Sequence, residues 1–533
     1  ESTNGGLIVP NQFFIKNSKQ QASFNAYKFN TKRIVSTIFM IGTSWKNQLF
    51  LDITGRNDWS SALVYSYGTG NFSYFYPSVS GSWIITETLK DKLPKWVSFA
   101  KVRGSWAQVG NDTSPYYINS GYSVATYQRG DKKIYGMTIP ENMKSTNLKP
   151  ERKNAWEVGL DWRFLDSRIG VDLTYYKENT RNQIMTINVP WESGVKEKLI
   201  NAGNIQNSGI EIALNTTPIK KKQWQWDLNF TYTRNRNKIV ELSPDVTSYI
   251  NLDGAANYGN YRIASVAKVG SDYGMLMSDS WIKTDEKTGK PVVGYTNKFR
   301  TVYYKRGGTV KEVGSMLPNF LGSLNSTLRW KDLSLYVLFD ARFGGYVASY
   351  NSRYATAYGF SGETEKYRKG MTWTSKYANA QDKVFTDGFI PDVVFDAGTI
   401  VTTPGGTNQD VSGMTYQEAY EKGYVEPAHL QSAAYFKNSW GTGVINDDWF
   451  KKINYIALRE ITLSYNVPTK ISSYIGAKNL SLSFTGRNLA YLLNTAPNHE
   501  NPESVRGTGA AQFRMRSFMP YTASYLFTLN ATF

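Results

Sequence analysis

The sequence YTASYLFTLNATF, from Tyr521 to Phe533, decides the fold because apolar and polar side chains alternate along it. Aromatic and apolar residues occupy one face, among them Tyr525, Phe527, Leu529 and Phe533, while the other face is small and polar except for Leu526. A side-chain period of two indicates a β-strand. A strand that ends on its own aromatic residue is typical of the last strand of a membrane barrel, which is apolar outside and polar inside.

The same alternation recurs along the chain, mostly in pairs of segments joined by short turns. These segments are about ten to fifteen residues long, close to the ~9–11 residues that a tilted strand needs to cross a membrane. Strands of soluble sandwiches are nearer ~5–6 residues. The strands predicted on this basis are Arg33–Lys46, Gln48–Asn57, Ser73–Glu87, Ser98–Val109, Asn154–Leu165, Arg168–Thr180, Gln206–Thr217, Gln223–Asn235, Leu317–Trp330, Leu333–Arg342, Lys452–Val467, Lys478–Tyr491 and the closing strand.

The sequence thus predicts an all-β protein, a transmembrane antiparallel β-barrel with about thirteen strands present. The count rises to about fifteen if Arg236–Met316 hides a further hairpin made of Ser265–Thr284 and Val292–Tyr304. In Lys452–Val467 the apolar positions change parity at Arg459-Glu460. This change predicts a β-bulge, which would keep both halves of the strand facing lipid, or else a shorter strand that begins at Ile461.

The connections alternate between shorter and longer, as in bacterial outer-membrane barrels with short periplasmic turns and long extracellular loops. If Phe533 ends in the periplasm, an odd strand count makes the first strand run downward, so we expect an odd number of strands before residue 33. We expect residues 1–533 to form the C-terminal part of one barrel domain, with large extracellular loop regions at 236–316 and 343–451. The longer connections are Asp58–Phe72, Gly110–Lys153, Arg181–Ile205, Arg236–Met316, Phe343–Lys451 and Leu492–Pro520.

Composition excludes several classes of protein and site. No stretch approaches the ~18 apolar residues of a membrane-spanning helix. The chain has no Cys and only two His, His429 and His499, so disulfide frameworks and thiolate metal sites are excluded and a histidine-based site is disfavoured. Nucleophile elbows and phosphate-binding glycine loops are also missing from the sequence. We therefore expect no catalytic residue, cofactor or metal, and we expect that the protein is not an enzyme.

The net charge and the aromatic content indicate many basic and aromatic side chains on the loops and at the ends of the barrel. The formal charge is +18, and aromatic residues make up 15% of the chain, including 37 Tyr. The basic excess could attract anionic partners, including lipopolysaccharide, acidic ligands or nucleic acid. The favoured interpretation is solvated Lys and Arg on loops and rim, with outer-membrane lipid as a partner and no nucleic acid.

Several segments, in order along the chain, resemble one family. They are FLDITGRNDWSSAL (Phe50–Leu63), YFYPSVSGSWIITE (Tyr74–Glu87), KVRGSWAQVGND (Lys101–Asp112), NLKPERKNAWEVGLDWRF (Asn147–Phe164), NAGNIQNSGIEIAL (Asn201–Leu214), YIALREITLSYNVP (Tyr455–Pro468) and NLSLSFTGRNLAYL (Asn479–Leu492). Together they resemble the C-terminal half of SusC/RagA-type TonB-dependent outer-membrane transporters of Bacteroidota.

The resemblance implies a barrel of about 22 strands whose lumen is plugged, located in the cell outer membrane. It also implies a SusD-like surface lipoprotein as a hinged lid, and contact with the TonB complex through a TonB box. The plug and the TonB box are absent from this sequence. Family substrates are usually oligosaccharides or peptides, so the first hypothesis is a nutrient import channel. The alternative is a structural or accessory subunit of a multi-protein outer-membrane assembly or export machine. A soluble all-β binding protein is disfavoured by strand length.

Two sets of residues are candidates for binding or anchoring. The family signature Arg56-Asn57-Asp58-Trp59 is expected at the extracellular rim as a loop anchor or ligand contact. The favoured interpretation is that Asp58 caps a turn and Trp59 belongs to an aromatic girdle. In the second set, four Tyr recur every four residues, which predicts one stripe on a short helix. Loop aromatics of this kind contact a ligand or a partner, or pack on the barrel, and ligand contact is the less favoured. This set comprises Tyr346, Tyr350, Tyr354, Tyr358 and Trp373.

Three carboxylates lie close together in the stretch DGFIPDVVFDAG, at Asp387, Asp392 and Asp396. Such spacing could bind calcium, but it lacks the glycine-punctuated loop of a strong calcium motif. The favoured interpretation is that these acids are solvated or form salt bridges.

Overall fold

The structure is a computed structural model, and it describes residues 9, 30–90, 92–119, 121–138, 140–189, 192, 194–243, 246, 249–253, 263–362, 370–429, 445, 450–504, 513–515 and 520–533. Residues 1–32 are polar and without a side-chain period, which predicts a loop, and this segment falls almost wholly outside the described part of the chain. No helix among these residues is long and apolar enough to span a membrane.

One large antiparallel sheet dominates the structure, and its path contains thirteen strands in chain order. All the predicted strands are found, several of them longer than expected. The strands are β1 Ile34–Trp45, β2 Leu49–Ser60, β3 Ser73–Ile84, β4 Val97–Asn111, β5 Glu151–Phe164, β6 Ile169–Asn188, β7 Glu197–Lys220, β8 Trp224–Glu241, β9 Phe320–Trp330, β10 Leu333–Ser349, β11 Phe450–Val467, β12 Asn479–Asn494 and β13 Ser524–Thr532.

The two faces of the sheet differ in chemistry, as the period-two pattern predicts. On the apolar face the Trp224 and Trp330 rings stack 5.6 Å apart at one end of β8 and β9. On the polar face, hydroxyl pairs such as Thr462–Thr485 and Ser464–Ser483 join neighbouring strands at 2.9 and 2.8 Å. Among the described strands, β1 pairs only with β2 and β13 only with β12, so these two strands are the edges of the sheet.

The parity change in β11 is a bulge, as one of the two sequence-based interpretations expected. Leu458 pairs with Phe339 and Glu460 with Leu338, so Arg459 is the extra residue. The pairing of β11 with β12 is interrupted at the same place. Because the bulge inserts one residue, Leu458 and Ile461 both stay on the apolar face while Arg459 and Glu460 are both directed to the polar side.

One prediction about the connections is wrong, and one alternative that the sequence left open is excluded. The prediction of a long loop at Arg181–Ile205 fails because β6 and β7 continue to pair as far as Asn188 and Glu197. The segments Ser265–Thr284 and Val292–Tyr304 are not strands of the large sheet. Each folds back on itself into two short antiparallel strands, because Gly270 and Gly274 in the first segment and Asn297–Arg300 in the second form turns.

The two longest connections contain small sheets and helices of their own. Their strands are Tyr249–Asp253, Ile263–Lys268, Met275–Ser278 and Lys311–Ser315 in one sheet; Val292–Thr296, Thr301–Tyr304 and Val394–Phe395 in a second; Met371–Thr374, Val384–Phe389 and Ala428–His429 in a third; and the pair Ile400–Thr402 and Asn408–Asp410. The hairpin Ser123–Arg129 and Lys132–Thr138 lies in another connection. Two further short strands, Asn142–Lys144 and Arg514–Met515, pair in parallel with β7 and β10.

Helices are few and short among the described residues. The α-helices are α1 Ile85–Thr88, α2 Tyr350–Ala357, α3 Tyr416–Glu421 and α4 Thr469–Ser472. Single 3-10 turns occur at Ser61–Leu63, Ala378–Ala380, Ser473–Ile475 and Pro497–His499.

Residues 281–307 and 371–429, here called the loop body, share one hydrophobic core. Their strands pair across the two connections, since Val292 lies in parallel register with Val394. Helix α3 closes the core and begins with a capping box formed by Thr415 and Glu418, an arrangement that satisfies two helix-end amides. The buried side chains of this core are Val293, Val302, Val393, Phe395, Val401, Val411, Tyr416, Ala419, Val425 and Ala428.

Candidate functional site

The signature residues Arg56, Asn57, Asp58 and Trp59 lie within β2, with alternate side chains on opposite faces. On the polar face, Arg56 donates to the buried Asp58 carboxylate at 2.6 Å. The Tyr76 hydroxyl donates to the other Asp58 oxygen at 2.5 Å. Asp58 therefore does not cap a turn, which corrects that expectation. Trp59 points to the apolar face and is exposed.

A second ion network ties three strands of the polar face together. The Arg103 guanidinium on β4 donates to both carboxylate oxygens of Asp172 on β6 at 3.0 and 2.9 Å. It also lies 3.7 Å from Glu157 on the intervening β5. Bidentate arginine–carboxylate pairs are geometrically specific, so this network fixes the register across β5.

The third network surrounds the bulge residue Arg459. Its guanidinium donates to Asp340 on β10 at 2.8 Å and to Glu503 at 2.8 and 2.7 Å. The Tyr455 and Tyr491 hydroxyls donate to the same Glu503 carboxylate at 3.2 and 2.9 Å. Glu503 belongs to the β12–β13 connection, which this network holds against the polar face beside a cavity of about 280 Å³.

The β12–β13 connection also contacts a second site on the structure, the start of α2. Ser349 caps α2 by accepting from the Ser352 amide at 3.0 Å, and its hydroxyl donates to both oxygens of Glu500 at 3.2 and 3.0 Å. Glu500 is only 3% exposed, and burial raises the pKa of its carboxyl to about 7. Below that pH the buried group is neutral, so the contact carries no uncompensated charge.

We expect this contact to weaken as pH rises. Between the ordinary carboxyl value of 4.5 and about 7 the folded state binds a proton that the unfolded state has lost. The free energy of unfolding of this attachment therefore falls with rising pH across that window. Glu500→Gln should remove the pH dependence and slow amide exchange of residues 494–504 at pH 8, measured by hydrogen exchange with mass spectrometry. The exposed Glu286→Gln is the control, and a Glu500→Gln profile with unchanged pH dependence would contradict the assignment.

The four Tyr do not form one helical stripe, which corrects that prediction. Tyr346 lies in β10, because the strand continues through Ser349 before α2 begins. Tyr350 is fully buried, packed with Phe450 and Phe513. Only Tyr354 and Tyr358 are exposed, at the end of α2. The first two residues are therefore packed within the chain, and the last two are available for contacts.

Trp373 belongs to the interior of the loop body. Its ring stacks on Phe385 at 5.1 Å and meets His429 edge-on at 4.8 Å. Its indole nitrogen donates to Glu426 at 3.3 Å. His429 lies 3.2 Å from Asp387, and burial lowers the pKa of the imidazole against the opposing effect of that carboxylate. This aromatic cluster packs the loop onto itself.

The three carboxylates near Asp387 do not converge on one point. Asp387 pairs with His429, Asp392 with Lys290 at 2.7 Å, and Asp396 with Lys283 at 2.8 Å. Lys283 and Lys305 help to hold the pKa of Asp396 below its ordinary value, against the opposing effect of burial. In the described part of the chain no group of three or more metal-ligating side chains occurs. The favoured interpretation of salt-bridged acids agrees with this geometry.

The closing strand presents Tyr525, Phe527, Leu529 and Phe533 to the exterior, all well exposed. Phe527 pairs with Phe484 across β12 and β13, and the Tyr525 ring stacks on Phe484 at 6.2 Å. The strand itself begins at Ser524.

Residues 22–346 match the family described as TonB dependent receptor-like, beta-barrel. The chain belongs to this family. It is 23% identical over 486 residues to TonB-dependent receptor P26 of Formosa agariphila, which covers 89% of this chain and 43% of that protein. It is 28% identical over 270 residues to TonB-dependent receptor SusC of Bacteroides thetaiotaomicron, across 49% of this chain and 26% of that protein.

The fold agrees with a solved structure of the RagAB peptide transporter. The overlay has a TM-score of 0.65 at 16% identity and covers 97% of this chain and 50% of that chain. The chain thus spans half or less of the length of these relatives. The resemblance to SusC/RagA-type receptors and the prediction of an outer-membrane β-barrel are confirmed. The family consists of receptors and transporters, in agreement with the prediction that the chain is not an enzyme.

Family membership orients the sheet. In an outer-membrane barrel the apolar face contacts lipid, the polar face lines the interior, and the long connections lie at the cell surface. The networks around Arg56, Arg103 and Arg459 therefore face the interior of the barrel. The ion pair between Arg459 and Glu503 was not predicted from the sequence. The parity change marked the bulge, but no sequence signal linked it to a loop residue 44 positions away.

Proposed function

We propose that the chain forms the C-terminal wall and the surface loops of an import channel for oligosaccharides or peptides, closed by a SusD-like lipoprotein and driven by the TonB complex. The observation that carries the proposal is the folded loop body, which is built from the two longest connections of the sheet; in outer-membrane barrels the long connections lie at the cell surface. Loops this long are uncommon unless they are functional. A rigid core of this kind can present a fixed surface to a lid or a substrate.

The aromatic residues that follow α2 supply the contact surface. Tyr358 is 62% exposed and Phe360 is 84% exposed. The Phe360 amide donates to the Ala355 carbonyl at 2.7 Å, which fixes the backbone under these rings. Exposed aromatic residues on a fixed backbone are typical of protein interface anchors, since they bury large area at low entropic cost.

The interior surface suits polar cargo. Its hydroxyl and amide pairs, such as Asn229–Asn325 at 2.6 Å and Thr231–Ser323 at 2.6 Å, offer hydrogen-bonding groups along the channel. Such groups exchange readily with those of sugars and peptide bonds. The relatives named SusC and RagAB support an import role.

The first test is purification of the full-length receptor in mild detergent from its native host, with identification of all bound chains. Co-purification of one SusD-type lipoprotein, with loss of uptake of a labelled oligosaccharide or peptide on deletion, is the expected result. A stable multi-subunit set with unchanged uptake would instead place the chain in an assembly or export machine.

We expect the double variant Tyr358→Ala, Phe360→Ala to reduce recovery of that lipoprotein about tenfold or more, as loss of interface anchors does. Recovery is measured by quantitative mass spectrometry after the same purification. The matched control is Tyr474→Ala, which removes a side chain that is 89% exposed in the short connection at the opposite end of the wall. Equal recovery from the double variant and the control would argue against this surface as the docking site.

A further inference from the structure

The lipid-facing surface of β8 changes from apolar to cationic at the cell-surface end. Asn235 and Asn237 hydrogen-bond to Asn207 on the interior face at 3.2 and 2.8 Å. The alternate positions of the strand therefore point outward, and side chains two residues apart are about 7 Å apart. From near the start of the strand towards the cell surface, these outward positions are Trp226, Leu228, Phe230, Tyr232, Arg234, Arg236 and Lys238.

Neighbouring strands add further cations at the same end. Ser208 on β7 lies between Arg236 on β8 and Lys177 on β6 in one row of the sheet. With strands about 4.8 Å apart, the two cationic residues are about 10 Å apart along that row. Arg181 on β6 and Arg152 on β5 are paired in a row closer to the cell surface. The cationic patch is defined as Arg152, Lys177, Arg181, Arg234, Arg236 and Lys238.

The charges of the cationic patch are uncompensated within the described part of the chain. None of its six side chains lies within 4.0 Å of a described carboxylate. Glu178 on β6 points to the interior instead, where it pairs with Lys153. Two acids come near, since Asp272 lines the adjoining cavity and Glu241 ends β8, and neither pairs with the patch.

A cavity of about 450 Å³ adjoins the patch and has two kinds of wall. Arg234, Arg236 and Lys238 line one side, and Leu317 and Pro318 line another. Cations beside an apolar wall suit a ligand that carries anionic groups on a partly apolar body. The aromatic rings of Trp156 and Tyr175, 5.4 Å apart, lie beside the patch, because Trp156 shares a row with Lys177 and Tyr175 shares a row with Arg234.

We propose that the cationic patch binds the phosphate groups of an anionic glycolipid in the outer leaflet of the membrane. Aromatic residues of outer-membrane barrels lie at the membrane interface, so the patch lies where lipid phosphates lie. Each Lys or Arg near an anionic membrane surface contributes favourably to binding. The proposal rests on the outer-membrane location of the family and is independent of what the channel imports.

The test uses full-length receptor in detergent and fluorescent diphosphoryl lipid A as the probe. The triple variant Arg234→Gln, Arg236→Gln, Lys238→Gln is expected to bind it about tenfold or more weakly than the wild type, because three cationic contacts are lost. The matched control is Lys220→Gln, Lys221→Gln, Lys222→Gln, which removes the same charge from the exposed turn at the opposite end. The control should bind as the wild type does.

Three outcomes would overturn the proposal. Equal loss in both triple variants would show a general charge effect, and equal binding of the dephosphorylated glycolipid would show apolar binding. Displacement of the probe by millimolar inorganic phosphate would assign the patch to a free anion. If heat-modifiable migration in gels shows that the triple variant fails to fold, the test becomes the salt dependence of probe binding to the wild type. Phosphate contacts should weaken as salt rises, and salt-independent binding would exclude them.

Discussion

Replacement of Phe395 by Ala is expected to unfold the loop body while the barrel wall stays folded. Phe395 is 1% exposed, and its ring packs 5.3 Å from that of Tyr416 and 6.2 Å from that of Tyr295. Truncation of a buried Phe to Ala costs about 3–5 kcal/mol through lost burial and the cavity left behind. This is a large share of the stability of so small a core.

The wall should be unaffected because its stability comes from its own strand pairing. Pulse proteolysis of the full-length receptor should cleave the variant within 371–429, and heat-modifiable migration in gels should report an intact barrel. The matched control is Phe360→Ala, whose side chain is 84% exposed and whose removal should cost within about 0.5 kcal/mol. Wild-type protease resistance of the Phe395 variant would show that the loop body has no cooperative core.

The two variants also separate stability from partner contact. Phe360→Ala should lower recovery of the lipoprotein without affecting protease resistance, whereas Phe395→Ala should lower protease resistance, because Phe395 belongs to the loop-body core and α2 packs in a separate cluster. If both variants kept the lipoprotein, the proposed docking surface would be wrong while the core would remain testable by proteolysis alone.

The wall could be predicted from the sequence because a half-buried strand leaves a local signature. All thirteen strands were predicted, since lipid on one side and a polar interior on the other impose a strict period of two. The bulge at Arg459 was predictable for the same reason, because it shifts the period of two by one residue. Strand ends were less predictable. β6 and β7 extend to Asn188 and Glu197, where the chain has passed the lipid and alternation no longer applies.

The loops could not be predicted because their structure depends on contacts between distant segments. Val292 pairs with Val394, about a hundred residues later, and no local pattern encodes such a pairing. The Tyr stripe shows the opposite error. A spacing of four fits a helix, but Tyr346 belongs to β10, where pairing with Lys452 keeps the chain extended. Tertiary pairing thus overrides local spacing.

Replacement of Arg459 by Ala is expected to release the β12–β13 connection from the interior wall. Arg459 donates to Asp340 and to Glu503, so its loss leaves two carboxylates on the polar face without their cation. Removal of one partner of a buried ion pair costs about 3–5 kcal/mol. Here the carboxylates are partly exposed, and solvent screening reduces the expected cost to about 2 kcal/mol.

Amide exchange of residues 494–504 should then be faster by roughly 30-fold, because a local opening that becomes easier by about 2 kcal/mol is that much more populated. The exchange rate of Arg459→Lys should fall between those of the wild type and Arg459→Ala, since a lysine cannot reproduce the forked contacts to both acids. The control is Arg487→Ala, whose more exposed side chain pairs with Glu460 at 2.9 Å. Loss of this side chain should leave amide exchange of residues 494–504 within about threefold of the wild-type rate.

The release of the connection also bears on transport, since Glu503 and Arg459 face the interior beside a cavity of about 280 Å³. If the connection narrows the channel, Arg459→Ala should alter uptake while barrel stability is retained. Unchanged exchange in Arg459→Ala would show that the Glu500 contact holds the connection alone.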